Sequence, residues 1–268
     1  MGRFGIIDLN PTVSTLCTFF RREVPRLPLT YDWKIPEIEG FGMAGERGYQ
    51  PNLDLKAFLT RQWASASSAR RLQLAKVIVS DWGGVRGNRP ETLERYVNAI
   101  LEQAPSTPLQ GVASYSKIFS IVRPDKFAIY DARVAGCLNA VQINAGIQRG
   151  LAFNYVPGRN NVVGNTASKL GFTQYARFSV KELVKSGWSP IKRDQTYTRY
   201  LEILSLCLKK LPNYNLASLE MALFSNAECE CQLAMDGGNW PNQSFHRTCA
   251  KSRVGRSIQT LKVHFSKV

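Results

Sequence analysis

The sequence predicts a mainly α-helical protein, a helical bundle with loop insertions. Apolar residues recur at the three- and four-residue intervals of an amphipathic helix through most of the chain. The alternation of apolar and polar residues that is typical of strands is weak throughout. Proline and glycine separate the helical segments, so we expect helices joined by loops.

Composition divides the chain of 268 residues into three regions. Residues 1–52 are interrupted by five prolines and several glycines, which predicts an irregular N-terminal arm with a short helix near residues 12–23. Residues 53–230 form the expected helical core. Residues 231–268 form the expected basic tail, because the stretch from residue 237 onward has six Lys or Arg and no Asp or Glu.

Helix start and stop signals, together with apolar spacing, place the helices of the core. Pro90 fits the first turn of one helix, Pro124 ends another, and Asp131 opens the next. The predicted helices lie, in chain order, near residues 53–63, 66–80, 89–103, 111–122, 131–142, 173–186, 193–210 and 216–229.

The charge indicates a polyanionic partner. The chain has 35 Lys and Arg against 20 Asp and Glu, which gives a net charge of +15 and a pI near 9.8. Neutralising phosphates releases counterions, so DNA is the partner that we expect. A basic surface that binds nothing would give the same count and stays open as an alternative.

Other compositional signals concern location. No apolar run approaches the roughly 20 residues that a membrane span needs, and the N-terminus lacks a signal-peptide pattern. The six cysteines are scattered and form no disulfide framework. We expect a cytoplasmic monomer with no membrane partner.

Asp131 is the carboxylate whose surroundings suggest more than structure. Its simplest role is to cap a helix by accepting backbone N–H bonds. However, the residues before it, 127–130, are apolar or aromatic. Basic residues lie on both sides of it in the sequence, namely Lys117, Arg123, Lys126 and Arg133. A carboxylate in a basic cleft is suited to chemistry on a nucleic acid.

The segment resembles the catalytic core of the helix-hairpin-helix DNA glycosylases. Leu109–Val112 stand for the hairpin, and Ile129–Val134 for the motif in which an Asp opens a helix. The resemblance implies a helical glycosylase-like domain, no cofactor, catalysis by Asp131, and DNA contacts from Gly111 and Ser114.

The sequence departs from the family pattern in three ways. Ala113 stands where the hairpin has its second glycine, and the distance from hairpin glycine to Asp is shorter. The positions where covalently acting members carry a Lys hold Ala113, Ser114 and Tyr115 instead. Lys117 comes later, on the helix stripe of Ser114 and Ile121 and away from the expected buried face. We therefore expect a monofunctional enzyme in which water attacks and Lys117 contacts phosphate.

The expected mechanism follows from the bond that breaks. When an N-glycosidic bond breaks, the sugar passes through an oxocarbenium-like state. A nearby carboxylate can stabilise this state or direct a water molecule to it. The base must first flip into a pocket. Candidate pocket residues are Trp82, Tyr130, Tyr155, Asn160 and Asn161, although core packing is the commoner role for aromatic residues and turn formation for Asn.

Further candidates follow from charge and from cysteine spacing. Besides Lys117, the residues Arg133, Arg159 and Lys169 are candidate DNA contacts, with an uninvolved solvated face as the alternative for Arg159 and Lys169. Four residues near the C-terminus could form a tetrahedral zinc site: Cys229, Cys231, His246 and Cys249. Their C-x-C spacing is unusual for zinc, and their place near the end of the chain favours free cysteines. We therefore expect no metal. His246 and His264 are the only histidines, and their place in the tail argues against histidine-based catalysis.

The function that we expect is excision of a damaged or modified base from DNA. The Asn- and Gly-rich loop at residues 157–165 and the missing Lys leave room for a bulky base, such as those with which phages mask their DNA, and hence for a role in phage defence. Two alternatives stay open: a non-catalytic DNA-binding protein on the same helical scaffold, and a structural protein whose charge is incidental.

Overall fold

The computed structural model describes residues 8–166 and 169–237, apart from the side chains of residues 165, 166 and 169. This part of the chain is mainly helical, which confirms the predicted fold class. Among the residues described, no helix combines the length and apolarity that a membrane span requires. The helices are α1 (Asn10–Glu23), α2 (Leu27–Thr30), α3 (Tyr49–Ala64), α4 (Ser68–Lys76), α5 (Pro90–Leu101), α6 (Val112–Val122), α7 (Ala132–Asn144), α8 (Val180–Lys185), α9 (Thr196–Lys210) and α10 (Leu216–Met235).

Short elements connect the helices. A π-helical turn, Val77–Trp82, continues α4, and 3₁₀ turns lie at Val24–Arg26, Phe172–Gln174, Ala176–Phe178 and Arg193–Gln195. Two two-residue strand pairs tie together the region between α7 and α9. Strand β1 (Leu151–Ala152) runs parallel to β4 (Ser189–Pro190), and β2 (Asn165–Thr166) runs antiparallel to β3 (Lys169–Leu170).

Helix α7 lies at the centre of the fold. Apolar residues on several of its sides, among them Val134, Leu138 and Val141, are buried, as expected for a core helix. It packs against α10 and α1. A Cβ at Gly136 would lie 2.5 Å from Cγ1 of Val163, so the glycine lets the loop after α7 lie against the helix.

The structure refines the predicted regions at both ends of the chain. The short helix predicted near residues 12–23 is confirmed as α1, whose Leu16 and Phe20 are fully buried and which packs on α9. The predicted arm, residues 1–52, also contains the start of α3. At the other end α10 continues to Met235, past the predicted boundary at residue 230, because Cys231 and Ala234 still pack into the core. Most of the predicted tail lies outside the described residues.

Candidate active site

The connection between α6 and α7 positions Asp131. The backbone N–H of Tyr130 donates to Ser116 Oγ at 3.1 Å, which ties the connection to α6. Asp131 Oδ1 then accepts the backbone N–H groups of Arg133, at 3.0 Å, and Val134, at 3.1 Å. The predicted helix cap is confirmed, and it uses only one of the two carboxylate oxygens.

The other oxygen faces Lys117. Lys117 Nζ lies 3.8 Å from Asp131 Oδ2 and donates a hydrogen bond to Ala113 O at 2.7 Å. The prediction that Lys117 lies away from the buried face is wrong, because its side chain is only 5% exposed. Helix α6 is buried on nearly every side, so the apolar stripe of its sequence marks only part of its buried surface.

The surroundings of Lys117 alter its acid–base behaviour. Burial lowers the pKa of the Lys117 amine, and the neighbouring Lys56 acts in the same direction, while Asp131 and Glu220 act against it. A lower pKa increases the fraction of neutral amine at a given pH. Neutral amine is the nucleophilic form of lysine.

A pocket of about 560 Å³ opens around these two side chains. Four aromatic side chains line it: Tyr31, Trp33, Trp82 and Phe224. Trp82 is held from two sides, since its Nε1–H donates to Asn52 Oδ1 and its carbonyl accepts the Nε1–H of Trp33, both at 2.9 Å. The rings of Trp33 and Phe224 meet edge to face at 5.3 Å, so the walls are fixed by packing.

Of the three aromatic residues predicted for the pocket, only Trp82 lines it. Tyr130 is fully buried, and its hydroxyl donates to Asn154 O at 2.7 Å. The Tyr155 hydroxyl donates to Phe178 O at 2.7 Å. Both tyrosines stabilise the loop region after α7, which is the core role that most buried aromatic residues have.

The loop after β1 brings the predicted Asn pair to the pocket. A Cβ at Gly158 would lie 2.3 Å from Cβ of Ala132, so this glycine lets the loop pack on the first turn of α7. Asn160 Oδ1 accepts the backbone N–H groups of residues 162 and 163, and its Nδ2–H donates to Glu228 Oε1 at 2.9 Å. Asn160 therefore shapes the turn, while Asn161 and Arg159 are exposed at the pocket lining.

Helix α10 contributes two carboxylates that the sequence did not single out. Glu220 Oε2 accepts a hydrogen bond from Lys56 Nζ at 2.6 Å. Glu228 Oε1 lies 2.8 Å from Arg133 Nη2, and the Arg133 guanidinium lies 4.8 Å from the centre of the Phe224 ring. No local pattern marks either glutamate, because the residues that they meet lie far away in the chain.

The predicted DNA contacts are divided between two places. Lys117, Arg133 and Arg159 line the pocket, whereas Gly111 and Ser114 do not. Gly111 has φ +80 and is packed against Tyr96, and Ser114 Oγ accepts a hydrogen bond from Asn88 at 3.1 Å. Lys169 lies in β3, and its side chain is outside the described part of the structure.

The described residues contain no cluster of candidate metal ligands. Within residues 8–166 and 169–237, no three His, Cys, Asp or Glu side chains are grouped so that they could hold a metal ion. Cys229 and Cys231 lie in α10. The other two members of the candidate zinc set, His246 and Cys249, and also His264, lie outside the described residues.

Comparison of the chain with protein-family models found no match, and comparisons with curated proteins and with solved structures found none either.

Proposed function

We propose that this protein is a DNA N-glycosylase that removes a damaged or modified base without a cofactor. The observation that carries the proposal is the placement of Lys117 Nζ 3.8 Å from Asp131 Oδ2, at an open pocket with aromatic walls. Attack on a glycosidic carbon requires a nucleophile and a carboxylate. A lysine amine with a lowered pKa and Asp131 supply these two groups.

Charge and shape support DNA as the substrate. The chain has a net charge of +15, and Arg133 and Arg159 line the pocket, where they can contact phosphates beside a flipped nucleotide. The aromatic side chains of Trp33 and Trp82 offer surfaces on which a base can stack.

The chemistry divides between two side chains. As the N-glycosidic bond lengthens, positive charge develops on the sugar, and Asp131 Oδ2 stabilises it while Oδ1 stays bonded to the N-terminus of α7. Lys117 Nζ forms a bond to C1′ as the base leaves with the bonding electron pair, and the proton that the amine loses balances the one that the departing base takes up. The C1′–O4′ bond then breaks as the nitrogen lone pair forms a C=N bond, O4′ takes up a proton, and the product is a Schiff base.

Attack by Lys117 replaces the sequence-based expectation that water attacks. That expectation rested on the absence of Lys from residues 113–115 and on the orientation of Lys117 away from the buried face, and the structure contradicts the second point. Water remains the competing nucleophile, and the two routes differ in a measurable product.

The size of the pocket favours a bulky base. A volume of about 560 Å³ lies within the range of roughly 300–1,000 Å³ that holds drug-sized ligands, which are larger than an unmodified base. Modified phage DNA is therefore a substrate class to test first, and a role in phage defence would follow from activity on it.

Borohydride trapping tests the proposal. The purified protein is incubated with modified phage DNA, with ordinary DNA and with duplexes that carry damaged bases. We expect base release and, with sodium borohydride, a covalent protein–DNA adduct. Lys117→Met should form no adduct. Asp131→Asn should lower base release by about 10³-fold and yet stay folded, because Asn caps helices as well as Asp does.

Other outcomes separate the alternatives. Abasic sites without a trapped adduct would make water the nucleophile. Salt-dependent binding with no base release on any DNA, and no effect of Asp131→Asn, would show a non-catalytic DNA-binding protein. Full activity of Asp131→Asn would rule out the carboxylate mechanism.

A further inference from the structure

Glu220 lies between two cavities. It lines the 560 Å³ pocket and also a second cavity of about 320 Å³, which α3, α10 and the turn after α6 enclose. Its side chain is 3% exposed. Burying a carboxylate costs desolvation free energy. A buried carboxylate such as that of Glu220 therefore needs a partner in the protein or in a ligand.

One oxygen of Glu220 has a partner within the protein. Oε2 accepts a hydrogen bond from Lys56 Nζ at 2.6 Å, and Lys56 in turn lies 5.9 Å from the centre of the Trp82 ring. Among the described residues, no hydrogen bond reaches Oε1. The lysine thus fixes the orientation of the carboxylate and leaves one acceptor for a ligand.

Exposure separates the polar groups of the pocket. The side chains of Glu220 and Lys117 are 3% and 5% exposed, whereas those of Asp131 and Arg133 are 17% and 27% exposed. Glu220 is also close enough to Lys117 to act on the pKa of its amine. If the sugar is bound at Asp131 and Lys117, a base that projects from it into the buried part of the pocket can meet Glu220.

We propose that Glu220 recognises the extruded base by accepting a hydrogen bond at Oε1 from an exocyclic amino group, so that amino-bearing bases are preferred over their carbonyl counterparts. The inference rests on the proposed function and deepens it. Carboxylates accept from the amino group of cytosine, whereas a carbonyl oxygen at the same position would be repelled and would leave two acceptors unpaired. Sites built around one such hydrogen bond discriminate strongly.

Matched duplexes test the inference. They carry cytosine or uracil, 5-hydroxymethylcytosine or 5-hydroxymethyluracil, and adenine or hypoxanthine at one position, and base release is measured under single-turnover conditions. We expect the wild-type protein to favour the amino member of a pair by about 10-fold or more, which corresponds to one good base contact.

The variant Glu220→Gln gives the sharper result. Lys56 should keep the amide oxygen as its acceptor, which turns the amide NH₂ towards the base and reverses the preference in favour of the carbonyl member. The double variant Lys56→Met/Glu220→Leu removes both charges together and should abolish the preference in either direction. Thermal unfolding and DNA affinity of each variant show that the protein is folded.

The outcomes distinguish this inference from the proposed function. Base release with the wild-type preference retained in Glu220→Gln would overturn the inference alone. A wild-type preference for carbonyl bases would do the same. Absence of base release from every duplex and from phage DNA would remove the proposed function, and the inference with it.

Discussion

Two buried lysine–carboxylate pairs each place a carboxylate at the same pocket, and the two pairs differ in the distance between lysine and carboxylate. Lys56 Nζ and Glu220 Oε2 are 2.6 Å apart, whereas Lys117 Nζ and Asp131 Oδ2 are 3.8 Å apart. Both lysine side chains are almost fully buried. Because both lysines are similarly buried, the shorter distance indicates that Lys56 and Glu220 bind mainly to each other. Lys117 and Asp131 lie further apart and remain available to a substrate.

The cause of the difference lies in competing partners. Asp131 Oδ1 is held by two backbone N–H groups of α7, and Lys117 Nζ donates to the carbonyl of Ala113. Glu220 lies in the second turn of α10, whose N-terminus is capped by Asn215, and Lys56 is its one direct hydrogen-bond donor among the described residues. A carboxylate at a helix start can be oriented without being neutralised, which suits a reactive site.

Removing the amine should destabilise the protein in the close pair but not in the wider pair. Lys56→Met leaves the Glu220 carboxylate buried without its partner, and we expect a loss of about 3–5 kcal/mol in the free energy of unfolding. Lys117→Met should leave stability unchanged or raise it, because the lowered pKa shows that folding disfavours the charged amine. Denaturant titration of both variants at neutral pH measures the difference.

The double variant Lys56→Met/Glu220→Leu serves as the control for that comparison. It removes both charges and should recover most of the stability that Lys56→Met loses. If Lys117→Met destabilised the protein as strongly as Lys56→Met, the contrast between the two pairs would be wrong.

The rate of base release should depend on pH through Lys117. Attack needs the neutral amine, so the rate should rise about tenfold per pH unit and level off at a pH below 10.5, the ordinary lysine value. The same lowered pKa makes stability increase with pH in the interval between the folded-state value and 10.5. A single-turnover pH–rate profile measures this rise in rate, the rising limb of the profile.

Burial and three charged groups set the position of the rising limb of the pH–rate profile. Burial and Lys56 lower the pKa of Lys117, and Asp131 and Glu220 raise it, so Glu220→Gln should move the rising limb to lower pH. A profile with no rising limb at any pH below 10.5 would exclude Lys117 as the nucleophile and favour water.

The smallest predicted effect concerns Gly83, over which the stem of Lys117 passes. A Cβ there would lie 2.5 Å from Lys117 Cδ and 2.7 Å from the backbone oxygen of Ile78. Gly83→Ala should therefore displace Lys117 and slow adduct formation by about tenfold, in line with the cost of small misplacements of reacting groups. The measurement is the rate of borohydride trapping.

Gly84→Ala is the matched control for Gly83→Ala. Gly84 has φ +68, so the substitution strains the backbone, yet its Cβ would not approach Lys117. We expect it to lower stability without a specific loss of trapping. Equal trapping rates in the two variants would show that Gly83 does not position Lys117.

The sequence predicted the part of the site that depends on local patterns. The Asp131 cap, the order of the core helices and the loop that begins at residue 157 follow from spacing, proline and turn residues, and the structure contains all three. Lys117 was misplaced because the burial of α6 on nearly all sides comes from α3, α5 and the π-helical turn, which its own periodicity does not reveal.

The rest of the pocket depends on contacts between distant parts of the chain. Tyr31 and Phe224 come from opposite ends of the described sequence and meet only in the folded protein. Two of the three predicted aromatic residues, Tyr130 and Tyr155, do not line the pocket, and Tyr130 is a core residue. Proximity in sequence is a poor guide to a pocket whose walls come from six separate segments.

Because of the π-helical turn, the geometry of the site depends on the number of residues in that turn as well as on the side chains that line the pocket. The Gly83 N–H donates to Ile78 O, five residues earlier, at 3.0 Å, which fits one more residue into the turn than an α-helix would hold. Loss of one residue from Val77–Trp82 would let the turn relax to α-helix and rotate the following residues by about 100°. Trp82 and Gly83 would then leave the pocket although every side chain of the site was still present.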